Sequence, residues 1–323
     1  MVIELPAQIG EISAEPHLDN EIAAYLAFHG KHEEPASPSQ VFLPVNYQEL
    51  FSSWNRYPNA VPYAGGTELI RSQGKRVPVL PRNILCLEKI DELKRITRTE
   101  RYLEIGAMVR LNEILALGKI VPDILVKTLE GIAGPQVRSL ATIGGSLCTQ
   151  LYRLDTTAPM TGLDAHYELR TASSVRWTSA SRFSGLPGRL TLSPQELLTR
   201  IRIPLDQWNY SVYRKFNSLG SDKSGKVIVL ILKNQKNILT DLRIVYSGGT
   251  VLQSREAEAA LIGKQLPLER RQAQVFFDKW KQYLASMTKI VMNLDRHMEK
   301  FILDLYAAQI MAFIEHTILE ITE

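Results

Sequence analysis

Cysteine is scarce in this sequence, which has only Cys86 and Cys148 among 323 residues. A structural zinc site or a common iron–sulfur cluster needs four ligands, most of them thiolates. Two cysteines therefore exclude a four-thiolate metal site held by this chain alone. The pair could form a disulfide, but we expect both to be reduced, as in cytoplasmic proteins.

Long apolar runs and a strong charge are also lacking. The longest aliphatic run, residues 227–232, is six residues long, whereas a membrane-spanning helix needs about 20. The first 16 residues carry acids where a signal peptide has basic residues and then an apolar core. Lysine and arginine exceed the acids by 38 to 34, too small a surplus to indicate nucleic-acid binding. We expect a soluble, cytoplasmic protein without membrane or nucleic-acid partners.

Signatures of catalysis and of nucleotide-binding folds are missing as well. The six histidines form no H-x-x-x-H or H-E-x-x-H pair, so neither a metal site nor catalytic residues are predicted. Cys148 is interpreted as a buried small residue and not as a nucleophile. The sequence has no G-x-x-x-x-G-K-[ST], and no G-x-G-x-x-G that opens a long helix, which excludes P-loop and Rossmann sites.

The order of strand-like and helix-like segments predicts a mixed α+β protein with two domains. Residues 1–40 look like an N-terminal extension that ends in a linker rich in Pro, Ser and charge. Short strands alternate with helices over residues 41–205, and Pro204 ends that section. Residues 206–323 show a different pattern of segments, with two long strand-like runs followed by helices.

Two Gly pairs stand out, AGGTEL at 64–69 and TIGGSL at 142–147, each preceded by an apolar segment. We interpret both as turns at strand exits. Glycine permits close backbone approach, so consecutive N–H groups can converge on an anion, and the hydroxyls of Thr67, Ser146 and Thr149 can add donors. Together the loops could grip a pyrophosphate, although a tight turn needs glycine for conformational reasons alone. By itself, Asp155 is either a loop cap or an acceptor for ligand hydroxyls, and Lys215 can be a solvated strand residue.

Taken in order, eight elements resemble the flavoprotein subunit of the molybdenum hydroxylases, the family of xanthine dehydrogenase and carbon monoxide dehydrogenase. They are AGGTEL at 64–69, QVRSLATIGGSL at 136–147, Asp155, LDA at 163–165, IRIP at 201–204, Lys215, Gly248 with Gly249, and AEAALIG at 257–263. The resemblance runs from about residue 41 to residue 263. It implies an FAD-binding domain of two subdomains, of the vanillyl-alcohol-oxidase (PCMH) type, followed by a smaller C-terminal domain of sheet and helices.

The resemblance also implies a cofactor site. The two loops would hold the pyrophosphate and ribityl chain of FAD, through Ala64, Gly65, Gly66, Thr67, Glu68 and Leu69 in the first and Thr142, Gly144, Gly145, Ser146 and Thr149 in the second. Asp155 would accept hydrogen bonds from sugar or ribityl hydroxyls. Leu197 and Leu198 would pack near the flavin ring, with Lys215 close to it.

The function that the resemblance implies is electron transfer. Electrons would pass from a molybdopterin-binding large subunit through a small [2Fe–2S] subunit to FAD, and then to NAD or another acceptor. One alternative is a scaffold that keeps the fold but binds no flavin, because Ser146 replaces the family's usual Asn and bulky residues occupy 151–154. A third hypothesis is a stand-alone flavin oxidase, although no substrate acid or base is evident.

Overall fold

The computed structural model describes residues 40–73, 79–149, 155–184, 190–216, 226–248 and 251–294, with residues 308, 311 and 312. Side chains are described up to residue 287 in the last long helix. Of the predicted extension 1–40, only Gln40 is described, and it begins the first strand. Residues 151–154 and Gly249, which entered the sequence argument, lie outside the described residues.

The first layer is a small parallel sheet of strands β1 (Gln40–Phe42), β2 (Val61–Tyr63) and β3 (Asn83–Cys86), in the order β1-β3-β2. Helix α1 (Tyr47–Arg56) connects β1 to β2, and α2 (Thr67–Gln73) follows β2. The side chain of Asn46 caps α1 by accepting from the N–H of Glu49 at 2.8 Å, while the Glu49 carboxylate accepts from the N–H of Val45 at 3.2 Å. Asn46 thus caps the helix as in a capping box, but Glu49 accepts from the N–H of the residue before the cap and not from the N–H of the cap itself.

The second sheet is antiparallel and follows the order β4-β5-β8-β6-β7. Its strands are β4 (Ile96–Arg98), β5 (Tyr102–Gly106), β6 (His166–Arg170), β7 (Val175–Ser179) and β8 (Leu197–Pro204). The helices between them are α3 (Leu111–Ala116), α4 (Asp123–Glu130), α5 (Pro135–Arg138), α6 (Ile143–Leu147), α7 (Thr157–Gly162) and α8 (Ala180–Ser184). Central strand β8 alternates buried and half-buried residues from Thr199 onward, with Ile201 and Ile203 fully buried.

The third sheet, in the order β12-β11-β10-β9, is antiparallel. It comprises β9 (Tyr210–Phe216), β10 (Lys226–Gln235), β11 (Ile238–Ser247) and β12 (Val251–Leu252), followed by α9 (Arg255–Ala259) and α10 (Arg270–Leu294). Alternate residues of a strand point to opposite faces. One face of β10, with Val227, Val229 and Ile231, joins the core of the first two sheets. The other face packs with Phe276 and Trp280 of α10.

This two-sided burial explains the longest aliphatic run of the sequence. Residues 227–232 are at most 3% exposed because β10 has apolar neighbours on both faces. The mixed helix-and-sheet architecture predicted from the sequence is confirmed. Cys86 and Cys148 are not joined by a disulfide. None of the described helices is both long enough and apolar enough to cross a membrane.

Candidate cofactor site

The first Gly pair forms a turn at a strand exit, as predicted, between β2 and α2. Gly66 has a φ of +68°, a left-handed conformation that favours glycine. A Cβ atom on Gly65 would lie 1.8 Å from the carbonyl oxygen of Leu140. The backbone of the first loop therefore lies directly against the residue that precedes the second loop.

The second Gly pair is not a strand-exit turn, so that prediction is wrong. Gly144 and Gly145 lie inside helix α6, whose N-cap is Thr142. The Gly145 N–H donates to the Thr142 hydroxyl at 3.1 Å, and the Ser146 N–H donates to the Thr142 carbonyl at 3.0 Å. The Gly144 N–H donates to the carbonyl of Ala107 at 2.9 Å. These three N–H groups are engaged within the protein, which contradicts the expectation that they are spare donors for an anion.

Each glycine of the second pair has a different reason to be glycine. A Cβ on Gly144 would lie 2.7 Å from both the carbonyl oxygen and the Cβ of Ala107. Gly144 is therefore required by close packing inside the protein. Gly145 is exposed, and a Cβ there would meet only the Thr142 hydroxyl, at 3.0 Å. Its outer side is open to an approaching molecule.

Backbone donors remain in the first loop. Within the described part of the chain, the N–H groups of Gly65, Gly66 and Thr67 have no hydrogen-bond acceptor, and neither has the Thr67 hydroxyl. Glu68 is half-buried and forms an ion pair with Arg71 at 2.9 Å. Burial raises the pKa of Glu68, and its hydrogen bond to Arg71 offsets this effect only in part. Ala64 and Leu69 are half-buried at the two ends of the loop.

The hydroxyls predicted for the second loop bond within the chain. The Ser146 and Thr156 hydroxyl oxygens are 2.8 Å apart, and both side chains are buried. The Thr149 hydroxyl donates to the Gly145 carbonyl at 3.2 Å. Ser146 therefore connects the second loop to the residue next to Asp155.

Asp155 and Lys215, predicted separately, lie together. Asp155 is 5% exposed, and its Oδ2 accepts hydrogen bonds from Lys215 Nζ at 2.6 Å and from the Tyr213 hydroxyl at 3.1 Å. Burial, followed by the negative charge of Asp155, raises the pKa of Tyr213. The phenol therefore stays protonated and acts as a donor through the neutral range. Sequence reasoning missed Tyr213. Its signal was the two-residue spacing to Lys215, which places both side chains on one face of β9.

Leu197 and Leu198 are 7% and 3% exposed at the start of β8 and belong to the core of the first two sheets. The register of β6 and β8 shifts beside them, because Leu169 pairs with Leu198 and Glu168 pairs with Arg200. The Thr199 carbonyl, at this irregularity, accepts from the N–H of Ala107 at 3.0 Å. Since the Ala107 carbonyl accepts from Gly144, β8 supports the second loop through a continuous chain of backbone hydrogen bonds.

The predicted residues form one connected arc, from the first loop across Leu140 to the second loop, and then through Thr156 to Asp155 and Lys215. Such an arc fits a flavin dinucleotide. Unbonded N–H groups in the first loop suit a pyrophosphate, the open side of Gly145 permits close contact, and Oδ1 of Asp155 accepts no hydrogen bond from the described residues.

In the described ranges, no group of three or more His, Cys, Asp or Glu side chains could hold a metal ion.

Comparisons with known proteins indicate the same cofactor. The family model described as "FAD binding domain in molybdopterin dehydrogenase" matches residues 37–206. The glyceraldehyde dehydrogenase medium chain of Sulfolobus acidocaldarius is 29% identical over 212 residues, 64% of this chain and 75% of that one. The nicotinate dehydrogenase FAD-subunit of Eubacterium barkeri is 27% identical over 248 residues, 72% of this chain and 83% of that one.

Longer relatives contain the matching region as a part. The alignment with xanthine dehydrogenase 2 of Arabidopsis thaliana, 25% identical, covers 69% of this chain but only 18% of that protein. The crystal structure of quinoline 2-oxidoreductase from Pseudomonas putida 86 superposes with a TM-score of 0.71 at 22% identity, over 88% of this chain and 97% of the matched chain. This likeness shows a shared fold.

The predicted family, its oxidoreductase class and FAD as its cofactor are confirmed by these matches. The family model covers more than half of the sequence. The chain belongs to the family of FAD-binding domains of molybdopterin dehydrogenases.

Proposed function

We propose that this chain is the FAD-binding electron-transfer subunit of a molybdenum hydroxylase complex. The observation that carries the proposal is the close backbone approach of Gly65 to Leu140, two residues before the second Gly loop, which brings the two loops side by side. Residues far apart in sequence lie side by side there, and the predicted Asp155 and Lys215 continue the same arc. FAD exchanges one or two electrons by itself, so the protein has to bind, orient and shield it.

The two loops would contribute differently. N–H groups of Gly65, Gly66 and Thr67 would donate to the pyrophosphate, with Ala64, Glu68 and Leu69 shaping that loop. The second loop, formed by Thr142, Gly144, Gly145, Ser146 and Thr149, would contribute mainly a surface, because its described N–H groups are already bonded. Gly145 would permit close approach of the cofactor.

The remaining residues would orient the rest of the cofactor. Asp155 would accept from a sugar or ribityl hydroxyl through Oδ1. Leu197 and Leu198 would form an apolar floor near the flavin ring. Lys215 would act close to the ring through its ion pair with Asp155, which holds that carboxylate in place.

For the fold, we propose a PCMH-type FAD-binding domain over residues 41–205 and a C-terminal domain over residues 206–323. The parallel sheet β1-β3-β2 would be one subdomain and the five-stranded sheet the other. The change of sheet after β8 supports the proposed boundary near residue 205.

As partners, we propose a molybdopterin-binding large subunit and a small [2Fe–2S] subunit that delivers electrons to FAD. The name "medium chain" of one relative and "FAD-subunit" of another support a role inside a larger enzyme. The two cysteines of this chain are too few to hold a four-thiolate cluster. For the outgoing electrons we propose NAD or another acceptor.

Gentle isolation of the tagged chain from its own cells tests the partners. We expect two further polypeptides, with molybdenum and iron in the same fraction by elemental analysis. A chain that elutes alone, without either metal, would contradict the complex.

Anaerobic addition of NADH to the isolated chain tests the acceptor separately, since the visible flavin band should bleach if NAD exchanges electrons with the flavin.

The second candidate is a scaffold without flavin. It is favoured by the engagement of the Gly144, Gly145 and Ser146 N–H groups and of the Ser146 hydroxyl inside the protein. The same isolation separates the two candidates, because a scaffold would bring the partners with it but no flavin.

A further inference from the structure

Among the described residues, Tyr213 is a hydrogen-bond partner of Asp155 that neither the sequence patterns nor the resemblance assigned. Its hydroxyl donates to Asp155 Oδ2 at 3.1 Å, the same oxygen that accepts from Lys215 Nζ at 2.6 Å. Both donors come from one face of β9, at positions 213 and 215. Two donors on one carboxylate oxygen fix the rotation of the carboxylate group.

The other oxygen of the same carboxylate is left available. Oδ1 of Asp155 accepts no hydrogen bond anywhere in the described ranges. Oδ1 is not among the fully buried polar atoms that lack a partner in the described residues, so it remains in reach of solvent. A ligand hydroxyl can therefore reach Oδ1 and donate a charge-assisted hydrogen bond to it.

The protein also makes room for the Tyr213 ring. A Cβ atom on Gly131, just after α4, would lie 2.7 Å from Cε1 and 2.8 Å from the hydroxyl oxygen of Tyr213. Gly131 has an ordinary φ of −75°, so backbone conformation does not require glycine there. The space it leaves is used by the tyrosine.

We propose that Tyr213 is a positioning residue for the cofactor: with Lys215 it fixes the carboxylate of Asp155, so that Oδ1 accepts from a hydroxyl on the ribityl chain or sugar of FAD. The inference rests on the proposed function, since it assumes that FAD occupies the arc. It adds Tyr213 to the site and gives the two carboxylate oxygens different partners. Oδ2 accepts from the protein, and Oδ1 accepts from the ligand.

The test compares FAD with an analogue whose ribityl and sugar hydroxyls are replaced by hydrogen. Dissociation constants are measured on the full-length apoprotein by the change in flavin fluorescence. Tyr213→Phe keeps the ring and removes only the donor. We expect it to weaken FAD binding by about tenfold, because a carboxylate that is free to rotate loses the hydrogen bond between Oδ1 and the ligand hydroxyl. One hydrogen bond to a charged group is worth about this much. Binding of the analogue should be unchanged, because it has no hydroxyl for Oδ1.

Tyr210→Phe is the matched control. Tyr210 lies on the same strand, is 40% exposed, and its hydroxyl has no partner among the described residues. Its FAD affinity should equal that of the wild type. Gly131→Ala provides a second variant, which leaves Tyr213 in the sequence but displaces its ring and hydroxyl, and it should also weaken binding of FAD but not of the analogue.

Four outcomes overturn the inference. Wild-type FAD affinity in Tyr213→Phe refutes it. An equal loss for FAD and for the analogue would show that Tyr213 only maintains the fold. If Tyr213→Phe does not fold, unchanged FAD affinity in Gly131→Ala refutes the inference. Wild-type protein that takes up no FAD would instead refute the proposed function, and the inference with it.

Discussion

At the scale of single residues, Gly65 and Gly145 differ in the atoms that a side chain at each position would meet. A Cβ on Gly65 meets the Leu140 backbone at 1.8 Å, whereas a Cβ on Gly145 meets only a hydroxyl. Gly65→Ala should therefore force the two loops apart and lower the free energy of unfolding by about 1–3 kcal/mol, the usual range for overpacking. Chemical denaturation of the apoprotein measures this loss.

Gly145→Val should impair cofactor binding and leave stability nearly unchanged, whereas Gly65→Ala lowers stability. A β-branched side chain on the open side of α6 blocks close approach of the cofactor, so FAD retention should be lost. The free energy of unfolding should change by less than about 1 kcal/mol, since Val differs little from Gly in helix propensity. Unchanged flavin content in this variant would mean that the cofactor does not contact the second loop.

Glu258 provides a prediction on pH. Its carboxylate is 2% exposed and accepts from the Ile244 N–H at 2.7 Å and from Gln253 Nε2 at 3.0 Å. Burial raises its pKa from 4.5 to about 7, against the lowering effect of these hydrogen bonds. The folded protein thus holds the proton more tightly than the unfolded chain. This contribution to stability is fully present below pH 4.5 and is lost as the pH rises to about 7.

Glu258→Gln should remove that pH-dependent loss, because the amide keeps an acceptor for Ile244 and has no charge. Thermal unfolding of both proteins across pH 4.5–8 measures the difference. Glu256→Gln is the control, since Glu256 is exposed and its pKa is lowered by its hydrogen bond to Lys279. If the loss of stability between pH 4.5 and 7 persisted in Glu258→Gln, Glu258 would not be its source.

At the scale of elements, Arg138 connects two helices. Its Nη1 donates to the carbonyls of Glu130, Ile132 and Ala133 at 3.2, 2.7 and 2.8 Å, just where α4 ends. Arg138→Ala leaves these carbonyls without that donor and should lower the free energy of unfolding by about 1.5–3 kcal/mol. Arg182→Ala, at an exposed residue whose guanidinium has no partner in the described ranges, should cost less than about 0.5 kcal/mol. Equal effects in denaturant titrations would contradict this role.

The elements also show where sequence patterns succeed. The cap of α1 is local, because Asn46 and Glu49 are three residues apart, so its pattern is visible in the sequence alone. Helix α6 was missed because Gly144 and Gly145 have low helix propensity. Its geometry depends on Ala107, on the Thr142 cap and on the support from β8. Tyr213 was missed because its partner Asp155 lies 58 residues away in the sequence.

At the scale of the whole molecule, the third sheet completes the core of the first two. Val229, Ile231 and Val245 would lie 3.6–3.7 Å from a Cβ on Gly162, so α7 packs closely against this sheet. A fragment that ends at residue 205 would expose the apolar residues of that contact. We expect it to be poorly soluble or to lack cooperative unfolding, which light scattering and calorimetry would report. A soluble fragment with the melting temperature of the full chain would contradict the shared core.

The central claim is that this chain holds FAD in the arc from the first Gly loop to Lys215. The most direct measurement is the visible spectrum of the purified full-length chain, followed by release and identification of the bound nucleotide. We predict a yellow protein that releases FAD, or a colourless one that becomes yellow when FAD is added. A chain that is colourless as purified and takes up no added FAD would contradict the claim.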